Sequence, residues 1–177
     1  NGKCYGTGYN EAYDIFSNDY SNVYTLTLLP TPNPNPNARI VKIEMGDSHY
    51  IILYENGKVY GCGYNYYGQL GNNSISNKDS PVQTITGGTN WKQVSVGLTT
   101  GAIKTDGTLW SWGGNNNGQL GFGNVTSYSS PKQVGALGTW VKVSCGNYHT
   151  LAVKTDGTLW CWGSNALGEL GLNNVTY

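Results

Sequence analysis

An all-β chain built of propeller blades is what the sequence predicts, on three observations. The heptapeptide Lys-Thr-Asp-Gly-Thr-Leu-Trp occurs at 104–110 and again at 154–160. Its surroundings repeat at the same interval of fifty residues: Gly57, Gly107 and Gly157; Leu70-Gly71, Leu120-Gly121 and Leu170-Gly171; Pro81 and Pro131. Each unit holds three or four short runs of β-forming residues, with glycine at the corners and no helical periodicity. A period of this length means one supersecondary unit that buries its apolar face only against its neighbours. Short antiparallel strands in each unit make that unit a blade, since β-solenoid coils need shorter repeats.

The elements follow in order along the clearest copy. Trp91 to Val96 alternates apolar and polar residues and stops at Gly97, a first strand. Gly101-Ala102-Ile103-Lys104 is a second, and Asp106-Gly107 predicts a type I′ hairpin turn, which needs positive φ at both central residues. Leu109-Trp110-Ser111-Trp112 returns as a third strand, and Lys132-Gln133-Val134 reads as a fourth. Between them lies the Gly/Asn loop 113–118. Gly68 and Gly71, Gly118 and Gly121, and Gly168 and Gly171 bracket Leu70, Leu120 and Leu170, so that a turn of unusual φ presses each leucine into the core. Trp110 and Trp160 share one repeat position with Tyr5 and Tyr60, which asks for bulk and apolar surface.

The units divide the chain into 1–55, an atypical copy with a Pro/Asn-rich spacer, then 56–105, 106–155 and a partial copy 156–177, all one propeller domain of about three and a half repeats. The last copy stops short of the position of Pro131, so a longer chain or assembly is expected.

Charge narrows the function. Asp, Glu, Lys and Arg make up 11% of the chain and cancel to zero, against about 25% in an average soluble domain. A field able to hold a nucleic-acid backbone is therefore not expected, nor is any apolar run long enough for membrane insertion. Asn, Ser, Thr, Gly and Tyr supply the polarity instead, a composition suited to meeting other proteins or surface glycans. Cys4, Cys62, Cys145 and Cys161 occupy four different repeat positions and read as small apolar core residues, with no cofactor or metal spacing.

Gly-Gln-Leu-Gly followed by Ser-Pro, Trp-Lys-Gln-Val-Ser-Val-Gly, Asn-Tyr-His-Thr-Leu-Ala-Val and Asp-Gly-Thr-Leu-Trp-Ser-Trp-Gly together resemble the regulator of chromosome condensation repeat, from Arg39 onward and less well over 1–38. The low charge is most similar to phage, viral and bacterial copies. The resemblance implies seven-bladed rings, and functions from guanine-nucleotide exchange to ultraviolet-B photoreception and ubiquitin-ligase modules. The photoreceptor's Gly-Trp-Arg-His-Thr signature is missing, and so is the wedge of an exchange factor.

Candidate residues are few. His49 and His149 each follow a glycine by three residues, with Thr100 as the middle copy's equivalent, and read as hydrogen-bonding residues repeated within blades. No carboxylate has catalytic or metal-ligand spacing, so no catalytic residue is named and no enzyme is expected. Candidate binding loops are Tyr64, Asn65, Tyr66 and Tyr67, then Asn115, Asn116 and Asn117, then Asn165. The irregular opening offers Tyr13, Phe16, Tyr20 and Tyr24 as a subunit contact. Asn72, Asn124 and Asn174 head Asn-x-Ser/Thr triplets at one loop position. The expected role is a non-enzymatic interaction or structural scaffold, in a virion (phage tail, fibre or capsid decoration, with host attachment as its task) or in an extracellular assembly, and otherwise cytoplasmic. The alternative is a regulatory propeller such as an exchange factor for a small GTPase.

Overall fold

The computed structural model describes residues 38–85 and 88–175, together with the backbone of two further strands, Cys4–Gly8 and Val23–Leu29. Tyr13, Phe16 and Tyr20 lie outside the described residues, and Tyr24 is placed only as backbone in the second of those strands.

Every described element is a strand. Strands β1 (Cys4–Gly8) and β2 (Val23–Leu29) form an antiparallel pair. The first blade holds β3 (Ile40–Met45), β4 (His49–Tyr54), β5 (Val59–Gly63) and β6 (Lys78–Gln83) in sequential order. The second repeats it with β7 (Trp91–Val96), β8 (Thr99–Lys104), β9 (Leu109–Gly113) and β10 (Tyr128–Gln133). The third holds β11 (Trp140–Cys145), β12 (His149–Lys154) and β13 (Leu159–Gly163).

The fifty-residue unit and the sheet are out of phase. Unit 56–105 contributes β5 and β6 to one blade and β7 and β8 to the next, and 106–155 does the same with β9 to β12. Consecutive blades are thus joined by the covalent repeat itself.

Two local expectations are corrected. The fourth strand begins at Tyr128, well before Lys132, because Ser129, Ser130 and Pro131 are already extended along β9. Proline is tolerated there since β10 is the sheet's edge and nothing asks for its N–H. The Asp106-Gly107 hairpin is also not type I′. Gly107 has φ +80° while Asp106 is not among the residues with positive φ, and Gly107 N donates to Lys104 O at 3.0 Å. This is a type I turn closed by a left-handed glycine. Asp106 Oδ1 accepts from Thr108 N at 2.9 Å and Thr108 Oγ1 at 2.7 Å, and Asp156 repeats the arrangement with Thr158. An aspartate that caps its own turn has no reason to adopt positive φ.

The core lies in the seams between blades. Ile51, Leu53, Val59 and Leu70 of the first blade pack against Trp91, Val94, Val96, Ala102 and Trp112 of the second. One hydrogen-bond clasp recurs in both seams. Gln69 O accepts from Trp112 Nε1 at 2.8 Å and Thr100 Oγ1 at 2.9 Å, and Gln119 O accepts from Trp162 Nε1 and Thr150 Oγ1, both at 2.9 Å. Gly71 and Gly121 lie flat against those indole rings, where a Cβ would come within 2.7 and 2.9 Å of the indole nitrogens. On β13 the matching face is open: Leu109 is 1% exposed but its counterpart Leu159 is 65% exposed. Trp160 is 49% exposed for the same reason, and beside it a groove of about 340 Å³ is lined by Val134, Leu137, Trp140 and Trp162.

Cys62 Sγ donates to Lys78 O at 3.0 Å, while Cys145 and Cys161 are free thiols. Cys161 Sγ takes the place of Ser111 Oγ, each directed at the carbonyl of the loop leucine, Leu170 and Leu120 respectively. The Cys145 sulfur sits under Gly101, and burial pushes its thiol up to about 12. Native protein at pH 8 is therefore expected to alkylate the half-buried Cys145 with iodoacetamide much more slowly than protein unfolded in urea does; peptide mass spectrometry reads both rates.

Candidate functional site

One end of the blades carries every loop the sequence singled out. The turns after β3, β7 and β11 and the long loops after β5, β9 and β13 meet there, as Tyr64 N to Ser48 O at 2.7 Å, Gly114 N to Leu98 O at 3.0 Å and Ser164 N to Tyr148 O at 2.8 Å show. The hairpins at 55–58, 105–108 and 155–158 are at the other end.

The loops share one internal frame. Asn65 Nδ2 donates to Ser74 O at 2.9 Å and Ser76 O at 3.1 Å while its Oδ1 accepts from Leu70 N at 3.0 Å. Asn115 makes the equivalent bonds to Asn124 O, Thr126 O and Leu120 N, each at 2.9 Å. Asn165 bonds Asn174 O and Leu170 N. Asn65, Asn115 and Asn165 are buried, which corrects their place among the candidate binding residues. A side chain with two donors and an acceptor was needed inside each loop to satisfy backbone groups that water does not reach. Gln69 and Gln119 complete the frame, their Oε1 atoms accepting from Tyr67 N and Asn117 N at 2.9 Å; Glu169 Oε2 does so for Leu167 N at 2.7 Å. The Asn-x-Ser/Thr triplets have a local cause too, although Ser74 and not Asn72 is the counterpart of Asn124: Asn72, Asn124 and Asn174 each offer Oδ1 to the Nδ2 of the buried asparagine of their loop.

What the frame displays differs from copy to copy. The first shows Tyr64, Tyr66 and Tyr67, the second Asn116 and Asn117 beside a buried Gly114, the third Ser164, Ala166 and Leu167. Tyr66 is 63% exposed and Leu167 is 90% exposed. Leu70 and Leu120 are fully buried beneath, with Leu170 half-buried. Tyr148 is exposed on the same end, and sequence reasoning does not single it out. A signal exists nonetheless: the residue preceding the strand reads Ser48, Leu98 and Tyr148, a position that varies inside an otherwise repeated stretch.

The inner strands draw together at this end. Gln93 grips the Val143 backbone, Nε2 to O at 2.9 Å and Oε1 from N at 3.3 Å, and Ser95 Oγ accepts from Cys145 N at 3.0 Å. Asn147 Nδ2 reaches back across the whole second blade to Asp47 Oδ2 at 3.0 Å.

The histidines need two corrections. Thr99, not Thr100, stands at the histidine position, since it pairs with Gly113 as His49 pairs with Gly63 and His149 with Gly163. The turn Gly97-Leu98 is one residue shorter than its counterparts, so counting three from the glycine overshoots. That missing residue also leaves Gln69 Nε2 buried without a partner, where Gln119 Nε2 has Asn147 O at 3.2 Å. His49, in turn, does not use its outer ring nitrogen for hydrogen bonding: Nε2 is buried and unpartnered. Burial lowers its pKa from 6.5 to about 4, against a smaller upward pull from Asp47. The unfolded chain takes up this proton near pH 6.5 and the folded chain near 4. Stability is thus complete above about pH 6.5 and declines by roughly 3 kcal/mol as the pH falls to 4. Urea midpoints at pH 4 and 7 are expected to differ by that much in the wild type and by clearly less in His49→Asn.

No group of three His, Cys, Asp or Glu able to hold a metal exists among the described residues, and no described helix is long and apolar enough to cross a membrane.

The class these blades define is the β-propeller of short antiparallel repeats. The regulator of chromosome condensation (RCC1) repeat model matches residues 56–102 and 106–153, and a second model of the same repeat matches 40–69 and 140–169. The chain belongs to the RCC1 repeat family. Human WBSCR16 is similar over the whole chain, at 24% identity and TM-score 0.80, with 46% of that protein covered. Prp20p of Saccharomyces cerevisiae, whose crystal structure is described with its binding to Gsp1p and histones, is 23% identical over 96% of the chain and 41% of its own, with TM-score 0.78. The C-terminal domain of gp131 from bacteriophage phiKZ matches at 18% identity and TM-score 0.50, over 78% of the chain and 40% of its own. The chain spans less than half the length of each, and at these identities the likeness is one of fold.

Proposed function

We propose that the chain is a non-catalytic protein-interaction scaffold that engages partners through the loop end of its blades. The observation that carries this reading is a constant frame with changing display: Asn65, Asn115 and Asn165 hold three loops alike, while the outward positions go from tyrosines to asparagines to alanine and leucine. Rigid scaffolds with variable loops are how folds acquire binding without altering their core. A photo-crosslinking residue placed at Tyr66 or Asn116 is expected to capture a protein in the source cell or particle. The same residue at Lys92 serves as the control; equal capture at all three sites would sink the assignment of this face.

The finer setting proposed is a virion or other extracellular assembly, supported by the low charge and the Asn, Gly, Thr and Tyr content. Mass spectrometry of purified particles that lacks the chain would refute it. A second reading, acceleration of nucleotide exchange on a small GTPase, is favoured by the likeness to Prp20p. It requires faster release of labelled GDP from a GTPase in the presence of this chain.

A further inference from the structure

Three tyrosines stand on the first loop for no reason that the loop supplies. The same frame closes around Gly114, Asn116 and Asn117 in the second copy and around Ser164, Ala166 and Leu167 in the third. Tyr64 and Tyr66 lie nearly parallel, 22° apart with centroids at 6.4 Å. Tyr67 stands edge-on to both, at 6.4 Å and 70° from Tyr64 and at 5.2 Å and 89° from Tyr66. The rings brace one another, so little rotamer freedom is lost when something settles on them. No residue between Tyr64 and Asn77 is charged, so nothing in this loop selects an ionic partner. What it offers is apolar ring surface with phenolic donors at the rim.

An extended proline-rich segment answers that chemistry. Its pyrrolidine rings pack on aromatic faces, its carbonyls accept hydrogen bonds, and its conformation is largely set before binding. This chain contains one: Pro30-Thr31-Pro32-Asn33-Pro34-Asn35-Pro36-Asn37, uncharged, with each of Thr31, Asn33 and Asn35 biased to extended backbone by the proline that follows. We propose that the Tyr64–Tyr66–Tyr67 cluster docks residues 30–37 of a second copy of the chain. A copy's own segment cannot dock in full, because Pro36 stands four residues before Ile40 and four residues reach about 14 Å at most. It leads into β3 at Ile40, which pairs with Tyr54 at the hairpin end, whereas Tyr64 follows Gly63, the residue opposite His49 at the loop end. A six-residue strand puts about 20 Å between those ends. The contact is therefore head-to-tail between copies, joining two different patches. This rests on the reading of the loop end as an interaction face and names its occupant.

The test uses the whole 177-residue chain. Sedimentation velocity across micromolar concentrations is expected to show concentration-dependent association, and a synthetic peptide of residues 30–37 is expected to reverse it. The triple variant Tyr64→Gly, Tyr66→Asn, Tyr67→Asn carries the second copy's residues, so the frame is retained, which circular dichroism checks. It should bind the peptide at least about tenfold more weakly, a difference of about 1.4 kcal/mol. Overturning results are a monomer with no saturable response to millimolar peptide, equal binding by the triple variant, or equal binding of a peptide with its four prolines replaced by alanine. If the peptide is inert while a crosslinker at Tyr66 captures a different protein, this proposal falls and the scaffold reading stands. If both are silent, both fall.

Discussion

Gly97→Ala is expected to cost about 3 kcal/mol or more, enough to lower Tm by roughly 6 to 12 °C for a chain of this size. The added methyl would overlap Gly146 O and C and crowd Asn147 N at 3.0 Å, all backbone atoms of the next blade's turn. Backbone cannot rotate aside as a side chain can, so the two turns must separate. Separation pulls on Asn147, and with it on the bond to Asp47 that spans the second blade. Gly123→Ala is the informative control. Gly123 has φ +70° but nothing within 4 Å of where a Cβ would stand, so that substitution carries only the conformational cost, about 1 kcal/mol. Thermal melts in which the two variants lose stability equally would refute the close approach at the turns.

Asn115→Asp is the second large effect. The substitution keeps the shape and removes the donor. Asn124 O and Thr126 O, each 2.9 Å from the amide nitrogen, would then face a carboxylate oxygen inside a buried loop. Two unsatisfied carbonyls and a buried charge put the loss at about 4 kcal/mol at neutral pH. The carboxyl would have its folded pKa raised by burial and by the facing carbonyls. Protonation restores a donor, so the deficit relative to wild type should shrink as the pH falls through that raised pKa and be largest above it. Urea titrations from pH 4.5 to 8 measure this, and a deficit independent of pH would mean that the carboxyl swings out to water.

Much of this was legible in the chain. The fifty-residue period, the hairpin glycines and the loop leucines are short-range features, repeated, and each copy confirms the others. The departures came from relations that residue type alone does not carry. Asn65 and Asn116 look alike on paper, yet one is sealed inside a loop and the other exposed, a difference decided by which backbone carbonyls the fold leaves unpaired. Thr99 stands fifty residues from each histidine, but counting three from Gly97 overshoots it because the turn there is one residue short, as the pairing with Gly113 shows. The tyrosine cluster was visible as composition, but its mutual bracing depends on side-chain angles. Asp47 and Asn147 stand a hundred residues apart and meet only because the inner strands of successive blades converge at the loop end.

The half-blade offset between repeat and sheet bears on how the protein would yield to force or to loss of a segment. A tug on either terminus cannot lift out a whole sheet, because each fifty-residue length is anchored in two sheets at once. Unravelling should advance in steps of two strands, each step opening one seam and exposing the indole that closed it. Gene rearrangement meets the same rule: removing the fifty residues between equivalent positions of β4 and β8, or of β8 and β12, splices the front of one blade onto the back of another with the pairing pattern intact. Such a protein could change its number of blades by simple duplication or deletion without ever making a seam that it had not already tested.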